Sequence, residues 1–285
     1  MQRIAIIGGG AAGAALVGEF LRRASHGVAL TWLVGRRAPG RGVAYATSAE
    51  QHLLNVRAAN MGLFADDVGA LLRFAQERGF AVSGTDFLPR GVFGDYVEST
   101  LARLIATHAT PRTLTLRTVE ARAVRGSDAE GYVVTTDDES HIEADAVVLA
   151  LGALPPKPLA GVSCAALASG RYAVDAWQLP RLAQAPRRIV VIGTGLSGVD
   201  VILSAAATWP DAQIVAVSRH GRLPQTHLPV PGAPYEFQRE LTDTLRARAD
   251  VRVWLRALRD AIDDADDWRA VIDGLRSATV ELWQA

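Results

Sequence analysis

The sequence is poor in cysteine, since Cys164 is the single one among 285 residues. One cysteine excludes a disulfide framework, a cysteine-rich metal site and a C-x-x-C redox pair within the chain. Disulfide reductases are therefore excluded as a class. A lone cysteine most often packs as a small hydrophobe, so we expect Cys164 to be buried.

Net charge is also lacking, because 30 basic residues balance 30 acidic ones. A neutral chain has no net field to attract nucleic acid or an anionic membrane, so neither is predicted as a partner. The sequence has no apolar run as long as a membrane span, and a strand predicted from Arg3 leaves no room for a signal peptide. We therefore expect a cytoplasmic protein. The acidic run at residues 263–267 lacks the glycine and the final glutamate of a calcium loop, and no metal site is predicted.

The first thirteen residues contain the strongest local pattern. An apolar, β-rich run at residues 3–7 precedes Gly8-x-Gly10-x-x-Gly13, and helix formers follow over residues 14–23. In such a strand–turn–helix unit the glycines allow the turn, the approach of a pyrophosphate and close helix–strand packing, while the helix N-terminus binds phosphate. Glycine-rich turns also occur at ordinary strand ends. With the full context present, we predict dinucleotide binding at Gly8, Gly10, Ala12 and Gly13.

A second copy of this pattern begins near residue 188. An apolar run precedes Gly193-x-Gly195-x-x-Gly198, and a helical pattern follows. Two such motifs, each in strand-to-helix context, predict two dinucleotide sites.

The residues after the second strand of each unit indicate which nucleotide binds. An adenosine ribose usually meets a carboxylate about 20 residues after the last glycine, but Gly35 holds that place after the first motif. Arg36 follows and would suit a 2′-phosphate, or it could lie in a solvated turn. After the second motif, the strand at residues 213–217 ends in Ser218 and Arg219. Arg219 favours NADPH over NADH, the alternative being an ordinary surface arginine.

Three further places are candidate functional positions. Long passages at residues 40–47 and 51–61 lack clear periodicity, and loops of this length tend to be functional. His52 lies in the second passage and could be an acid or base, although a loop histidine is more often a hydrogen-bonded structural residue. A buried parallel strand at residues 146–151 ends in Gly152, which could touch a nucleotide or serve as a plain turn.

The remaining periodicity completes an α/β fold. Helices are predicted over residues 68–78 and 96–108, the latter with Asp95 as a possible cap, and an antiparallel meander over residues 113–124, 132–136 and 140–143. Beyond residue 236 the pattern is mostly helical, and residues 251–255 are the one remaining strand-like run. The predicted domains are a Rossmann-like FAD-binding domain with the meander at 1–160, a connector at 161–184, a Rossmann-like NAD(P)-binding segment at 185–230 and a helical region at 231–285.

With both glycine motifs in place, the chain resembles the bacterial FAD/NAD(P)-binding-protein family and, more distantly, flavin-containing and N-hydroxylating monooxygenases. The segments that carry the resemblance are 8–13, 40–45, 52–56 with Met61, 89–96, 193–200 and 218–224. The chain departs from the family pattern at Gly35. It also lacks the C-terminal return to the FAD domain, so we expect either a fragment or a shortened protein.

The resemblance implies the position of each cofactor. FAD would place its pyrophosphate on the first motif and its flavin side near the loops that contain Gly42, Val43 and Asn55, with Gly152 close to the cofactor. NADPH would bind the second motif, including Ser197, with Arg219 at the 2′-phosphate. Hydride would pass from NADPH to FAD and on to oxygen or another acceptor. No side chain is required to act as an acid or base, and no catalytic residue is assigned. The alternatives are a non-catalytic nucleotide-binding or interaction protein and, less favoured, a single-cofactor NAD(P) dehydrogenase.

Overall fold

The computed structural model describes residues 1–23, 27–110, 113–175, 177, 179, 182, 184–228 and 235–284. The chain forms two compact units, Met1–Pro224 and Gln225–Ala285. Of the connector predicted at 161–184, residues 176, 178, 180, 181 and 183 lie outside the described part, as do 229–234 at the start of the predicted helical region.

The first unit contains nine strands and five helices in the described residues. In chain order they are β1 (Gln2–Ile7), α1 (Ala11–Arg22), β2 (Val28–Leu33), α2 (Ala70–Glu77), α3 (Arg90–His108), β3 (Leu114–Arg117), β4 (Ala121–Ser127), β5 (Gly131–Thr136), β6 (His141–Ala144), β7 (Ala146–Leu149), α4 (Cys164–Ala168), β8 (Arg188–Ile192), α5 (Leu196–Thr208) and β9 (Gln213–Val217).

A four-stranded parallel sheet with the order β3-β2-β1-β7 forms the centre of this unit. Ile7 at the end of β1 lies beside Leu33 of β2 and Leu149 of β7. The carboxyl ends of these three strands are therefore level, and the loops that follow them meet at one edge of the sheet, where open α/β sheets bind ligands.

Alternation along β1 and β2 gives the sheet two different covered faces. Ile6 and Trp32 belong to the core shared with α1, α2 and α3, where Val17 and Val97 are fully buried. Ala5, Ile7 and Leu33 instead pack against Val134 and Ala144 of the meander. The sheet thus lies between a helical layer and the antiparallel strands β4, β5 and β6.

Residues 113–124, predicted as one meander strand, are divided between two sheets. β3 pairs in parallel with β2, so that Leu114 lies beside Leu30, while β4 pairs antiparallel with β5. Both strands begin with alternating apolar and polar residues. The sequence pattern alone could not separate them.

Helix α3 begins at Arg90, earlier than the predicted start at Tyr96, with Pro89 at the N-cap. Asp95 is therefore inside the helix and is not its cap. Gly91 and Gly94, in the first turns of α3, are poor helix formers, but close packing requires them. A Cβ on Gly91 would lie 2.8 Å from the Thr47 carbonyl oxygen, and one on Gly94 would lie 2.5 Å from that of Tyr45.

The second glycine motif lies on a smaller parallel pair, β8 with β9, connected by α5. Their outward apolar side chains are well exposed, with Val190 at 57% and Ile192 at 64%.

Cys164 is exposed, contrary to the expected burial. It is the first residue of the short helix α4, which is capped by the Ser163 hydroxyl and has no buried residue. A single turn of helix on the surface offers no core in which the thiol could pack.

The second unit consists of α6 (Gln238–Ala247), α7 (Val251–Asp264) and α8 (Trp268–Gln284). They enclose a small core containing Leu241, Leu245 and Val271. The strand-like run at residues 251–255 is the first turn of α7, because the Asp250 carboxylate caps the N–H groups of Arg252 and Val253. No helix in the described part of the chain is long and apolar enough to cross a membrane.

Candidate functional site

The turn after β1 has the backbone geometry that its three glycines predict. Gly8 has φ +125°, and a Cβ there would lie 2.1 Å from the Ala150 carbonyl oxygen. A Cβ on Gly13 would lie 2.1 Å from the Gly8 carbonyl oxygen, so this glycine allows α1 to pack against the turn. Gly10 is the N-cap of α1, and a Cβ added to it would have the Gly42 Cα, at 3.7 Å, as its nearest neighbour. Space is therefore left at Gly10, beside the N-terminus of the helix.

The N-terminus of α1 is free of competing side chains. Gly10 caps the helix without a side-chain hydrogen bond, and its first turn carries no acidic residue. Ala12, in the same turn, is exposed. Unbonded N–H groups and the helix dipole at such an end favour an anion, and the side-chain-free approach at Gly10 suits a pyrophosphate. The residues present therefore fit the phosphates of a dinucleotide.

The loop at residues 40–47 is held against this turn. The Gly40 N–H donates to the Gly9 carbonyl at 2.7 Å, and a Cβ on Gly42, which has φ +58°, would lie 3.3 Å from the Gly10 Cα. Val43, next in the loop, is 39% exposed. The structure thus brings the candidate residues Gly42 and Val43 to the first glycine turn.

Arg41 fastens the same loop to α3. Its guanidinium pairs with Asp95 and lies 2.7 Å from the Glu98 carboxylate. The hydrogen bond that Arg41 donates to Glu98 raises the pKa of Arg41 further above its ordinary value, and Asp95 adds to the effect. Because Arg41 is paired with two carboxylates of α3, its charge is already neutralised. The N-terminus of α1 is therefore the nearby candidate site for an anion.

Gly152 follows β7 at the same edge of the sheet. The Ala150 N–H donates to the Ile7 carbonyl at 2.8 Å, which keeps the end of β7 against the glycine turn. Gly152 has φ +65° and is exposed, and a Cβ there would meet nothing within 4 Å. Asn55 is also exposed, in the loop that follows His52.

The position usually held by a ribose-binding carboxylate is a glycine in a left-handed turn here. Gly35 has φ +72°, which favours glycine, and its N–H donates to the Val119 carbonyl at 3.2 Å. Arg36 lies 2.6 Å from the Asp137 carboxylate in the meander turn. The Glu120 N–H and Arg36 both lower the pKa of Asp137. Asp137 therefore competes with a phosphate for Arg36.

The turn after β8 repeats the first turn closely. Gly193 has φ +104°, and a Cβ on Gly198 would lie 2.3 Å from the Gly193 carbonyl oxygen. The N-cap Gly195 has φ −74° and ψ −174°, against −80° and −174° for Gly10. A Cβ on Gly195 would meet nothing within 4 Å, and Ser197 is exposed in the first turn of α5. The second turn thus has the same backbone geometry as the first.

Thr194 holds the segment after β9 beside this turn. Its hydroxyl lies 2.8 Å from the Ser218 hydroxyl and 2.6 Å from the Arg222 carbonyl, and the side chain is buried. Arg219 is exposed between these two contacts. The candidate 2′-phosphate residue is therefore carried by a segment fixed to the second glycine turn.

His52 is enclosed by hydroxyl groups. Its Nδ1 lies 2.8 Å from the Thr47 Oγ1 and its Nε2 lies 2.6 Å from the Ser204 Oγ, and the residue is 7% exposed. Both ring nitrogens are thus engaged inside the protein, which favours the structural alternative over an acid or base role.

Sequence reasoning missed several residues that shape these sites. Trp32, Arg90, Thr194, Asp200 and Ser204 belong to this group. The sequence signal for Thr194 is its hydroxyl side chain between Gly193 and Gly195 of the second motif. The others act across long sequence separations, and local periodicity carries no signal for such pairs.

The fold and the two glycine turns define a dinucleotide-binding protein of the Rossmann type, as predicted. The chain belongs to the FAD-NAD(P)-binding family, whose model matches residues 5–154. This membership confirms the suspected family and the prediction of FAD and a nicotinamide nucleotide as cofactors. No curated protein is significantly similar to the chain.

Solved structures of flavin monooxygenases share the fold. A closed crystal structure of cyclohexanone monooxygenase has a TM-score of 0.53 at 19% identity, over 77% of this chain and 38% of that one. OTEMO in complex with FAD and NADP has a TM-score of 0.50 at 19% identity, over 77% and 38%. A flavin-containing monooxygenase from Stenotrophomonas maltophilia has a TM-score of 0.50 at 18% identity, over 81% and 60%. The chain thus spans about two fifths to three fifths of the length of these proteins.

Proposed function

We propose that the protein is an FAD-dependent NADPH oxidoreductase of the flavin monooxygenase type. The observation that carries the proposal is the pair of glycine turns with matching backbone geometry at Gly10 and Gly195 in one compact unit. Family membership and the shared fold of FAD- and NADP-bound monooxygenases support the assignment.

The first turn would hold FAD through backbone groups. The N–H groups at the start of α1 bind the pyrophosphate, and Gly10 gives it room to approach. Gly42 and Gly152 bring two further chain segments to the same edge without adding side chains. When bound, FAD supplies the redox chemistry, accepting hydride from NADPH and passing electrons to oxygen or another acceptor.

The second turn would hold NADPH. Gly193, Gly195, Ser197 and Gly198 surround the N-terminus of α5, and Arg219 supplies a cation suited to a 2′-phosphate. The role of the protein is to bind the two nucleotides, orient them and exclude water between them. None of these tasks requires an acid or base side chain.

A second candidate function is that of a non-catalytic nucleotide-binding protein that no longer uses a flavin. Gly35 in place of a ribose-binding carboxylate and the pairing of Arg36 with Asp137 favour this alternative. Both features concern the adenosine end of the FAD site, so flavin binding is the property that separates the two functions.

Two single-glycine variants test the proposal. Gly10→Ala should lower the affinity for FAD at least tenfold and leave NADP⁺ binding unchanged, because its Cβ would fill only the space of the pyrophosphate. Gly195→Ala should do the reverse. Both affinities are measured by calorimetric titration of the purified protein. A parent protein that binds NADP⁺ but not FAD would favour the second candidate, and one that binds neither would contradict both.

A further inference from the structure

A buried ion pair joins the two parts of the first unit that carry the glycine turns. Arg90, the first residue of α3, lies 2.8 Å from the Asp200 carboxylate in α5. The two side chains are 14% and 10% exposed. The backbone N–H of Arg90 also donates to the His52 carbonyl, and its Nε donates to that of Leu53. Arg90 thus connects the loop at residues 51–61 to α5, the helix that follows the second glycine turn.

His52 makes a second connection beside the first. Its Nε2 lies 2.6 Å from the Ser204 hydroxyl and 3.3 Å from the Asp200 carbonyl oxygen, one turn earlier in α5. Its Nδ1 is held by Thr47 in the loop that covers the first glycine turn. Ser204 and Asp200 therefore present one face of α5 to a single cluster.

Trp177 of the connector completes the cluster. Its ring lies edge-on to His52 at 5.7 Å between centroids, and the Arg90 guanidinium lies 5.2 Å from its centroid. The contacts combine a cation–π interaction with shielding of the ion pair from water. Four separate segments of chain thus meet at this cluster: the loop with His52, the start of α3, α5 and the connector.

These contacts matter because α5 buries little else. Its buried residues are Asp200 and Ala205, while Leu196 and Leu203 are 48% and 41% exposed. A helix with so little apolar burial depends on specific polar contacts for its position. Removing one partner of a buried ion pair leaves an uncompensated charge, which is strongly unfavourable.

We infer that Asp200 and Ser204 are positioning residues that hold the second nucleotide helix against Arg90 and His52, and so set where the nicotinamide meets the flavin. The inference rests on the proposed function. Because α5 begins at Gly195, a shift of the helix moves the phosphate cradle with it. A displacement of about 1 Å at reacting atoms can lower a rate by roughly a hundredfold.

The test compares Asp200→Asn and Ser204→Ala with the control Asp211→Asn, an exposed carboxylate just after α5. With FAD and NADPH bound, the rate constant for flavin reduction should fall at least tenfold in both variants. The dissociation constants for FAD and NADP⁺ should stay within twofold, because the two cradles themselves are unchanged. The control should match the parent in all three quantities.

Hydrogen exchange of the protein without nucleotides gives a second, independent readout. Amides of α5 should exchange at least tenfold faster in Asp200→Asn and Ser204→Ala, while those of β1 stay as protected as in the parent. Unchanged exchange in α5, or a loss of nucleotide affinity equal to the loss of rate, would overturn the inference. Faster exchange in β1 as well would mean that the substitution destabilises the whole fold. Ser204→Ala, the milder change, would then decide the question: faster exchange in α5 with unchanged exchange in β1 supports the inference, and any other pattern overturns it. If the parent reduces no flavin, the proposed function fails while the exchange measurement still tests whether these residues hold α5.

Discussion

The Trp32 indole N–H donates a 2.9 Å hydrogen bond to the carbonyl oxygen of Gly8, tying the second strand to the first glycine turn. Trp32 is fully buried and lies beside Ile6 in the sheet register. In the sheet that carries the second glycine turn, the corresponding place beside Val191 belongs to Ala216, which has no side-chain donor. The second glycine turn therefore lacks this particular hydrogen bond.

Trp32→Phe should lower the free energy of unfolding by about 1–3 kcal/mol, because the partly buried Gly8 carbonyl loses its donor. Urea denaturation measures the change. Trp283→Phe is the control, since Trp283 is 90% exposed and should change stability by less than about 0.5 kcal/mol. Equal effects of the two substitutions would contradict the role assigned to the hydrogen bond.

Substitutions at the second and third glycines of the first motif, Gly10 and Gly13, should separate folding from binding. Gly13→Ala places a Cβ 2.1 Å from the Gly8 carbonyl oxygen, so we expect it to destabilise the protein by about 1–3 kcal/mol or more. Gly10→Ala meets its nearest neighbour at 3.7 Å and should cost no more than about 1 kcal/mol. Thermal denaturation of both variants checks this order, and the reverse order would show that the turn packs differently.

Arg219→Gln should change nucleotide preference. If its guanidinium bonds the 2′-phosphate, NADPH affinity should fall by roughly ten- to a hundredfold, as expected for a lost hydrogen bond between charged groups. NADH lacks that phosphate, so its affinity should stay the same in the variant. Fluorescence titration with both nucleotides measures the ratio, and an equal loss for both would place Arg219 away from the 2′ position.

Acid should weaken the turn between β5 and β6. Hydrogen bonds from Thr136 and Ser140 hold the pKa of Asp138 well below its ordinary value. A carboxyl whose pKa is lower in the folded state stabilises the fold above its unfolded pKa of about 3.9, and this contribution is lost as the pH falls below that value. Asp138→Asn should therefore lower stability at neutral pH, and its difference from the parent should shrink with increasing acidity. Denaturation curves across acidic pH test this, with Asp211→Asn as the control. A difference that is independent of pH would contradict it.

The sequence predicted the features whose signals are local. The strand, glycine turn and helix at Gly8 and again at Gly193 depend on neighbouring residues, so their pattern was sufficient. The start of α3 was missed because Gly91 and Gly94 are unfavourable helix formers, and the close approach of the Thr47 and Tyr45 carbonyls that requires them is a long-range feature.

The polar contacts between the two nucleotide-binding parts could not be predicted for the same reason. Arg90 and Asp200 are far apart in sequence, and each alone resembles an ordinary helical surface residue. The strand-like appearance of the run at residues 251–255 has a different explanation. Its β-branched residues suggested a strand, but the Asp250 cap and the amphipathic pattern of α7 favour a helix.

The most direct test of the central claim is an anaerobic titration of the purified protein, supplied with FAD, with NADPH. The proposed function predicts that the protein retains FAD through gel filtration, shows an oxidised flavin absorbance spectrum and loses that absorbance when NADPH is added. Gly10→Ala should emerge colourless, and Gly195→Ala should keep its flavin but reduce it slowly. A parent protein that emerges colourless, or one whose flavin spectrum is unchanged by NADPH, would contradict the claim.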